Sequence, residues 1–135
     1  MQNQKRRELL IGASALAGAS LLAPIARAQS AKLRVGLMLP YTGTYAQLGA
    51  AIENGFRLAL DQSGGKFGGR EVEFFKVDDE SEPSKATDNA NRLITRDKVD
   101  VLVGSVHSGV AIGMLKVAKE SGTLMLIPNA GADAA

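Results

Sequence analysis

The 135-residue sequence has no cysteine, no tryptophan, a single histidine and only 4% aromatic residues. Without cysteine there is no disulfide framework, no thiolate metal site and no cysteine nucleophile. Lipid attachment at an N-terminal cysteine is excluded for the same reason. His107 alone cannot build a multi-histidine metal site. What remains is ordinary globular composition, with 45% apolar and 22% charged residues, and a length that holds one domain at most.

The formal charge of +2 is unevenly placed. Lys5, Arg6, Arg7 and Arg27 fall in the first 28 residues, opposed only by Glu8. The remainder carries 12 basic and 13 acidic residues. The basic pI therefore reflects the leading segment and gives no reason to expect a nucleic-acid partner or a polybasic membrane surface. That segment, residues 1–28, reads as a secretory signal peptide. It has a Lys5-Arg6-Arg7 start, an uncharged run from Leu9 to Ala26 and a small-x-small site at Ala26-Arg27-Ala28. The uncharged run nearly matches a membrane span, but its many Ala, Gly and Ser residues and the cleavage site favour removal. Arg6-Arg7 also resembles a twin-arginine signal, so the route is either Sec or twin-arginine export. The mature chain is expected to begin at Gln29 and to work in the periplasm.

From Leu33 onward strands and helices alternate. Leu33–Leu39 becomes apolar on both faces, as a buried parallel strand does, and Pro40-Tyr41-Thr42-Gly43 breaks it. Leu48, Ile52, Phe56, Ala59 and Leu60 recur at helical spacing up to Gly64-Gly65. Arg70–Val77 reads as a strand nearer the sheet edge, because Glu71 and Glu73 charge one face. Pro83 opens a second helix striped by Ala86, Ala90, Leu93 and Ile94. A short strand at Val99–Val103, a helix over Gly109–Glu120 striped by Ala111, Leu115 and Ala118, and a strand at Thr123–Ile127 complete a β-α-β-α-β-α-β order. The expected fold class is α/β, an open parallel sheet with helices on both faces. The sequence stops just after a strand, so residues 29–135 are expected to form part of the first lobe of a longer protein.

Ligands of such sheets bind beyond the carboxyl ends of the strands. Four connections reach that edge: Pro40–Gly43, Asp78–Glu82, Gly104–Gly109 and Pro128–Gly131. The third runs from a strand into a helix, whose start offers backbone N–H groups and the positive end of the helix dipole. Ser108 there either adds a hydroxyl to an anionic oxygen or caps its own helix. Gly104–Gly109 has phosphate-loop spacing, but Val110 and Ala111 occupy the places of the Lys and the Ser/Thr. No G-x-G-x-x-G follows the first strand and no G-x-S-x-G elbow occurs. His107 beside Ser105 or Ser108 is the one arrangement that suggests an enzyme, and nothing in the sequence orients it. Asp78, Asp79, Glu80 and Glu82 form either a cation site or, more simply, a solvated loop favouring the next helix start. Tyr41 and Tyr45 either wall a pocket or pack as surface aromatics.

These stretches resemble the type I periplasmic binding proteins, above all the leucine/isoleucine/valine-binding family of ABC-importer receptors. The likeness lies in Leu33–Gly43, Ala46–Gly49, Gly64-Gly65, Gly69-Arg70, Val77–Asp79, Pro83, Val101–Gly104, Ser108 and Pro128–Gly131. It covers nearly all of residues 32–131. The resemblance implies a two-lobe receptor, monomeric at full length, that closes on a small carboxylate and delivers it to an inner-membrane ABC permease. It implies a binding protein and not an enzyme, with no cofactor and no metal. It also implies a carboxylate grip by Ser108 with backbone and hydroxyl groups of the Asn129, Ala130 and Gly131 loop; His107 and Gly109, which flank Ser108, and Tyr41 and Leu48 are the further candidate ligand-binding residues. The family often carries an aromatic residue where Leu48 stands and a threonine where Gly131 stands. These departures point away from leucine-like ligands, and Asn129-Ala130-Gly131-Ala132-Asp133 is similar to relatives that take aromatic acids. The expected ligand is a branched-chain amino acid or related small carboxylate, and the alternative is an aromatic-acid or amide receptor or sensor on the same fold. One wall of a cleft is expected to bind weakly by itself, because tight sites bury most of the ligand surface.

The leader reading predicts that the exported product begins at Gln29. N-terminal sequencing and intact mass of the periplasmic fraction check it. A mass of ~11 kDa by residue count marks Ala135 as the end, whereas a mass several times larger marks a first lobe.

Overall fold

The computed structural model describes residues 31–133, and the expected export segment at residues 1–28 lies outside them. Strand β1 (Leu33–Leu39) leads into helix α1 (Ala46–Gln62). The two-residue β2 (Lys66–Phe67) turns into β3 (Arg70–Asp78). A single 3-10 turn at Pro83–Lys85 precedes α2 (Ala86–Thr95). Then come β4 (Val101–Val103), α3 (Ser108–Ser121) and β5 (Leu124–Leu126). The sheet order is β2-β3-β1-β4-β5. Strand β1 is central and parallel to β3 and β4, and β5 is parallel to β4.

The α/β class and the helices on both faces agree with the sequence reading, and β2 is an addition to it. Lys66–Phe67 pairs antiparallel with Arg70–Glu71 through a two-residue Gly68-Gly69 turn. Two residues are too few to show a strand period. The charged strand β3 accordingly lies second from the edge, with β2 outside it. Pro83 opens a 3-10 turn, and the α-helix proper begins at Ala86.

Alternation along β1 divides the core into two layers. Val35, Leu37 and Leu39 join Val103 on one face, where Ile52 and Phe56 of α1 cover them. Met38 faces the other way, with Leu102 and Val77, against Ala90 and Leu93 of α2 and Val110 and Met114 of α3. The buried stripe of α3 includes Val110, Met114 and Val117 beside the expected Ala111 and Ala118, and Leu115 is only half-buried. Among the described residues no helix is long and apolar enough to cross a membrane.

Two glycines let backbone approach the end of β1. A Cβ at Gly49 would lie 1.9 Å from the Pro40 carbonyl oxygen, and one at Gly104 would lie 2.0 Å from that of Met38. Helix α1 and the exit from β4 therefore rest directly on main chain. Helix α1 is also pinned by charge. Glu53 is buried and pairs with Lys76 of β3 at 2.7 Å and with Arg57 at 2.6 Å. Burial pushes the Glu53 pKa up, but the Lys76 and Arg57 bonds outweigh it and hold the carboxyl below its ordinary range.

Gly49→Ala should lower stability by about 1–3 kcal/mol, the cost of overpacking. Urea denaturation checks this, and an unchanged midpoint would mean that α1 does not rest on Pro40. Glu53→Gln should cost about 1–3 kcal/mol at pH 7, the scale for hydrogen bonds to a charged group. A depressed folded pKa contributes stability above the unfolded value, and that stability is lost as pH falls through the folded one. The gap between wild type and variant should therefore close on acidification below about pH 4, and a pH-independent gap would contradict the assignment.

Candidate functional site

Because β1, β3, β4 and β5 are parallel, the four connections singled out from the sequence leave the sheet at one edge. The start of α3 is the most developed part of that edge. His107, not Ser108, caps the helix: its Nδ1 accepts the Gly109 N–H at 3.0 Å. The His107 carbonyl accepts the N–H groups of Val110 and Ala111, each at 3.0 Å. Ser108 is the first helical residue and is half-buried, and its N–H and hydroxyl take no partner among the described residues. The expectation that serine caps this helix gives way because imidazole Nδ1 already fills that role. The groups left at the helix start are those of Ser108, while the Gly109 N–H is committed to the cap.

The same bonds bear on the enzyme alternative. With Nδ1 accepting, the ring proton of His107 resides on Nε2. Ser105 donates its hydroxyl to Asp79. Among the described residues, neither serine is hydrogen-bonded to His107, so the nucleophile–base pair of covalent catalysis is not assembled.

Tyr45 lies just before α1 with its ring centroid 6.1 Å from that of His107 and tilted by 57°. It lines an open concavity of about 520 Å³ with Gly43, Thr44, Ala46, Gln47 and Leu48. The volume suits a small-molecule site. Leu48 is 44% exposed, which makes its side chain available to whatever occupies this space. Tyr41 goes elsewhere: it packs on the α1 side of the sheet, with the Lys76 ammonium 4.3 Å over its ring. Its hydroxyl is buried without a well-formed hydrogen bond. Burial, and then the adjacent Glu53 carboxylate, raise its pKa far above the phenol range. Asn129 and Gly131 are exposed and Ala130 half-buried in the irregular segment after β5. A second concavity of about 340 Å³ lies between Ile52, Gly55, Phe56 and Ala59 of α1 and Pro128. Its apolar lining offers nothing to orient a carboxylate.

The acidic run is a solvated loop only at Glu80 and Glu82, which are exposed. Asp78 accepts the N–H groups of Tyr41 at 2.8 Å and Thr42 at 3.2 Å, and the Thr42 hydroxyl at 2.7 Å. Burial raises its pKa, but these donors and the Glu80 N–H outweigh that and hold it below the usual carboxylate value. Asp79 is wholly buried, and burial pushes its pKa up. Among the described residues no three or more His, Asp or Glu side chains are grouped as a metal ion would require. The sequence reading weighs Asp79 only within the acidic run and Ser105 only as a partner of His107, and it does not pair the two. The available signal was a serine between Gly104 and Val106 at a strand exit, where a buried hydroxyl needs a partner.

The family profile described as "Periplasmic binding protein" matches residues 32–135. The Leu/Ile/Val-binding protein BraC3 of Rhizobium johnstonii is 38% identical over 112 residues, covering 82% of this chain and 29% of that protein. Among solved structures, a solute-binding protein of an ABC transporter from R. palustris, in complex with benzoate, is 57% identical with a TM-score of 0.74. It covers 76% of this chain and 28% of that one. A branched-chain amino-acid transporter substrate-binding protein from Streptococcus pneumoniae, in complex with isoleucine, is 28% identical with a TM-score of 0.70, covering 76% and 30%. The chain thus spans less than a third of the length of these relatives. With the parallel sheet, the helices on both faces and a profile match over all but the leading segment, the chain belongs to the type I periplasmic binding proteins.

Proposed function

We propose that this chain forms one wall of an exported solute-binding protein that presents a small carboxylate to an ABC permease in the inner membrane, and that the carboxylate docks at the start of α3. The observation that carries the reading is the uncommitted N–H and hydroxyl of Ser108 at a helix whose cap is supplied by His107. A helix N-terminus stabilises an anion without a buried cation, and hydrogen bonds to a carboxylate are among the stronger ones. His107 Nε2–H adds a donor on the same loop. Under this reading the protein is secreted through its leader to the periplasm, acts as a monomer and performs no chemistry on its ligand. Asn129, Ala130 and Gly131 lie on the same sheet edge and supply a second set of backbone and amide groups.

Within the carboxylates, an aromatic acid is favoured. The ring of Tyr45 lies 6.1 Å from that of His107, the residue before Ser108, and Tyr45 shares its concavity with the apolar side chain of Leu48. Aromatic faces suit a flat ring in stacked or edge-to-face contact. The relative solved with benzoate is 57% identical to this chain, against 28% for the one solved with isoleucine. Both of those ligands carry a carboxylate, so the grip is common to them and the wall distinguishes them.

Titration of the ¹⁵N-labelled chain with benzoate and, separately, with leucine tests the reading. Benzoate should move the amides of Tyr45, His107 and Ser108 at millimolar concentration, and Ser108→Ala should weaken the response about tenfold, the loss expected for one hydrogen bond to a charged group. Shifts confined to other parts of the chain would overturn the site, and a stronger response to leucine would overturn the aromatic preference.

A further inference from the structure

The carboxyl end of β3 carries two adjacent aspartates that reach in different directions, because successive strand residues alternate faces. Asp78 reaches the β1–α1 connection, through the backbone N–H groups of Tyr41 and Thr42 and the Thr42 hydroxyl. Asp79 reaches the β4–α3 connection. Its Oδ2 accepts the hydroxyl proton of Ser105, which is also wholly buried, and its Oδ1 accepts the Ser81 N–H at 2.8 Å. One dipeptide, the last residue of β3 and the residue after it, therefore holds both loops that bear the candidate ligand groups.

The backbone just beyond is arranged to serve this. Glu80 and Ser81 have φ of 52° and 61°, two successive left-handed residues, neither of them glycine. Such a turn costs energy and persists only where its surroundings enforce it. Here each aspartate accepts the N–H two residues ahead, Asp78 from Glu80 at 2.9 Å and Asp79 from Ser81, the pattern of Asx turns. The β1–α1 loop lies directly on this turn, since a Cβ at Gly43 would come within 2.6 Å of the Glu80 carbonyl oxygen.

A buried carboxylate without a cation is a costly way to fill space. Lys85 pairs with Glu80 on the surface and does not compensate Asp79. Among the titratable groups, Asp78 opposes the charge of Asp79, and His107, with its Nδ1 accepting the Gly109 N–H, supplies no cation to compensate it. An apolar side chain of similar size would fill the site, but it would not offer two acceptors aimed at two different segments.

We propose that Asp79 is a positioning residue for ligand binding: through the Ser105 hydroxyl it places the β4–α3 loop, and with it Ser108, against the β1–α1 loop that Asp78 holds. The proposal rests on the carboxylate-docking reading given above. It assigns Asp79 no contact with the ligand. Its effect travels through Ser105 and three residues of main chain to Ser108.

The test uses the ¹⁵N-labelled chain with two readouts, amide hydrogen exchange without ligand and titration with benzoate. Asp79→Ala and Ser105→Ala should each lower protection of the Val110 and Ala111 amides about tenfold or more, as expected when a buried partner is lost, and should weaken the benzoate response of Ser108 by a similar factor. Asp79→Asn should restore both, because its amide oxygen accepts from Ser81 N–H and its NH₂ donates to Ser105 Oγ. Asp79→Asn also removes a negative charge near the docking site, so its benzoate affinity should equal or exceed that of wild type. Should Asp79→Ala fail to fold, Ser105→Ala removes the same bond alone. Wild-type exchange in the Ser105→Ala chain would overturn the proposal. So would a loosened loop with an unchanged benzoate midpoint. If Ser108 in the wild-type chain responds to neither benzoate nor leucine, the docking reading itself falls and the positioning role falls with it. A wild-type response that persists undiminished in Ser105→Ala overturns the positioning role alone.

Discussion

Strand β1 is hydrogen-bonded on both sides and buried on both faces, so its carboxyl end is the fixed point from which the candidate site is built. Its last carbonyl groups are approached by backbone rather than by side chains, Gly49 over Pro40 and Gly104 over Met38. No Cβ fits at either contact. The start of α1 and the exit of β4 are consequently placed by close packing against rigid main chain, and the loops that follow inherit that placement. Packed interiors deform little, and this edge of the sheet has little room to shift without disturbing the two core layers beneath it.

Three carboxylates near that end of the sheet meet burial in three ways. Glu53 is paired with two cations and stays ionised. Asp78 is held by backbone N–H groups and a hydroxyl, and it too is favoured as an anion. Asp79 has a hydroxyl, one N–H and no cation, and burial wins. The first two tie elements together with charge that is already compensated. The third retains an uncompensated demand for hydrogen-bond donors where the exit of β3 meets the β4–α3 connection. That contrast separates Asp79 from the other acidic residues of the run, which share its composition but not its surroundings.

The parallel core was legible because its pattern is dense: β1 is apolar on both faces, and Gly and Pro mark the breaks around α1 and α2. The sheet edge was less so. Lys66–Phe67 is too short to carry a period, and the hairpin shows only through Gly68-Gly69. Site residues divide along the same line. Their common edge follows from topology, and Ser108 follows from its place at a strand-to-helix exit. Side-chain direction does not follow from either. Tyr41 and Tyr45 are equivalent as letters in a loop, yet one packs beneath Lys76 and the other faces His107. The His107 cap was likewise invisible, because serine is the commoner choice at such a position. Asp79 reads as one more acid until Ser105, 26 residues away, is brought against it.

Under the proposed docking, the arrangement separates what holds the site from what touches the ligand. The holding groups are Gly49 in the first turns of α1 and Gly104 at the exit of β4, which pack on main chain, together with Asp78, Asp79 and Ser105, which bond the loops to one another. The candidate contact groups, Tyr45, Leu48, Ser108 and Asn129–Gly131, are on exposed or half-exposed turns and helix starts. A substitution among the second set changes the shape or polarity of the wall at little cost to the core, since exposed positions contribute little to packing. A substitution among the first set moves the helix start itself. An anion grip built from Ser108 and a helix dipole reads only charge and direction, so it tolerates many ligand bodies, and discrimination falls to the wall residues. The holding groups must then keep the distance between grip and wall constant while the wall varies, and Asp78-Asp79, bonded to both loops from the end of a single packed strand, is the element of this chain with the geometry to do so.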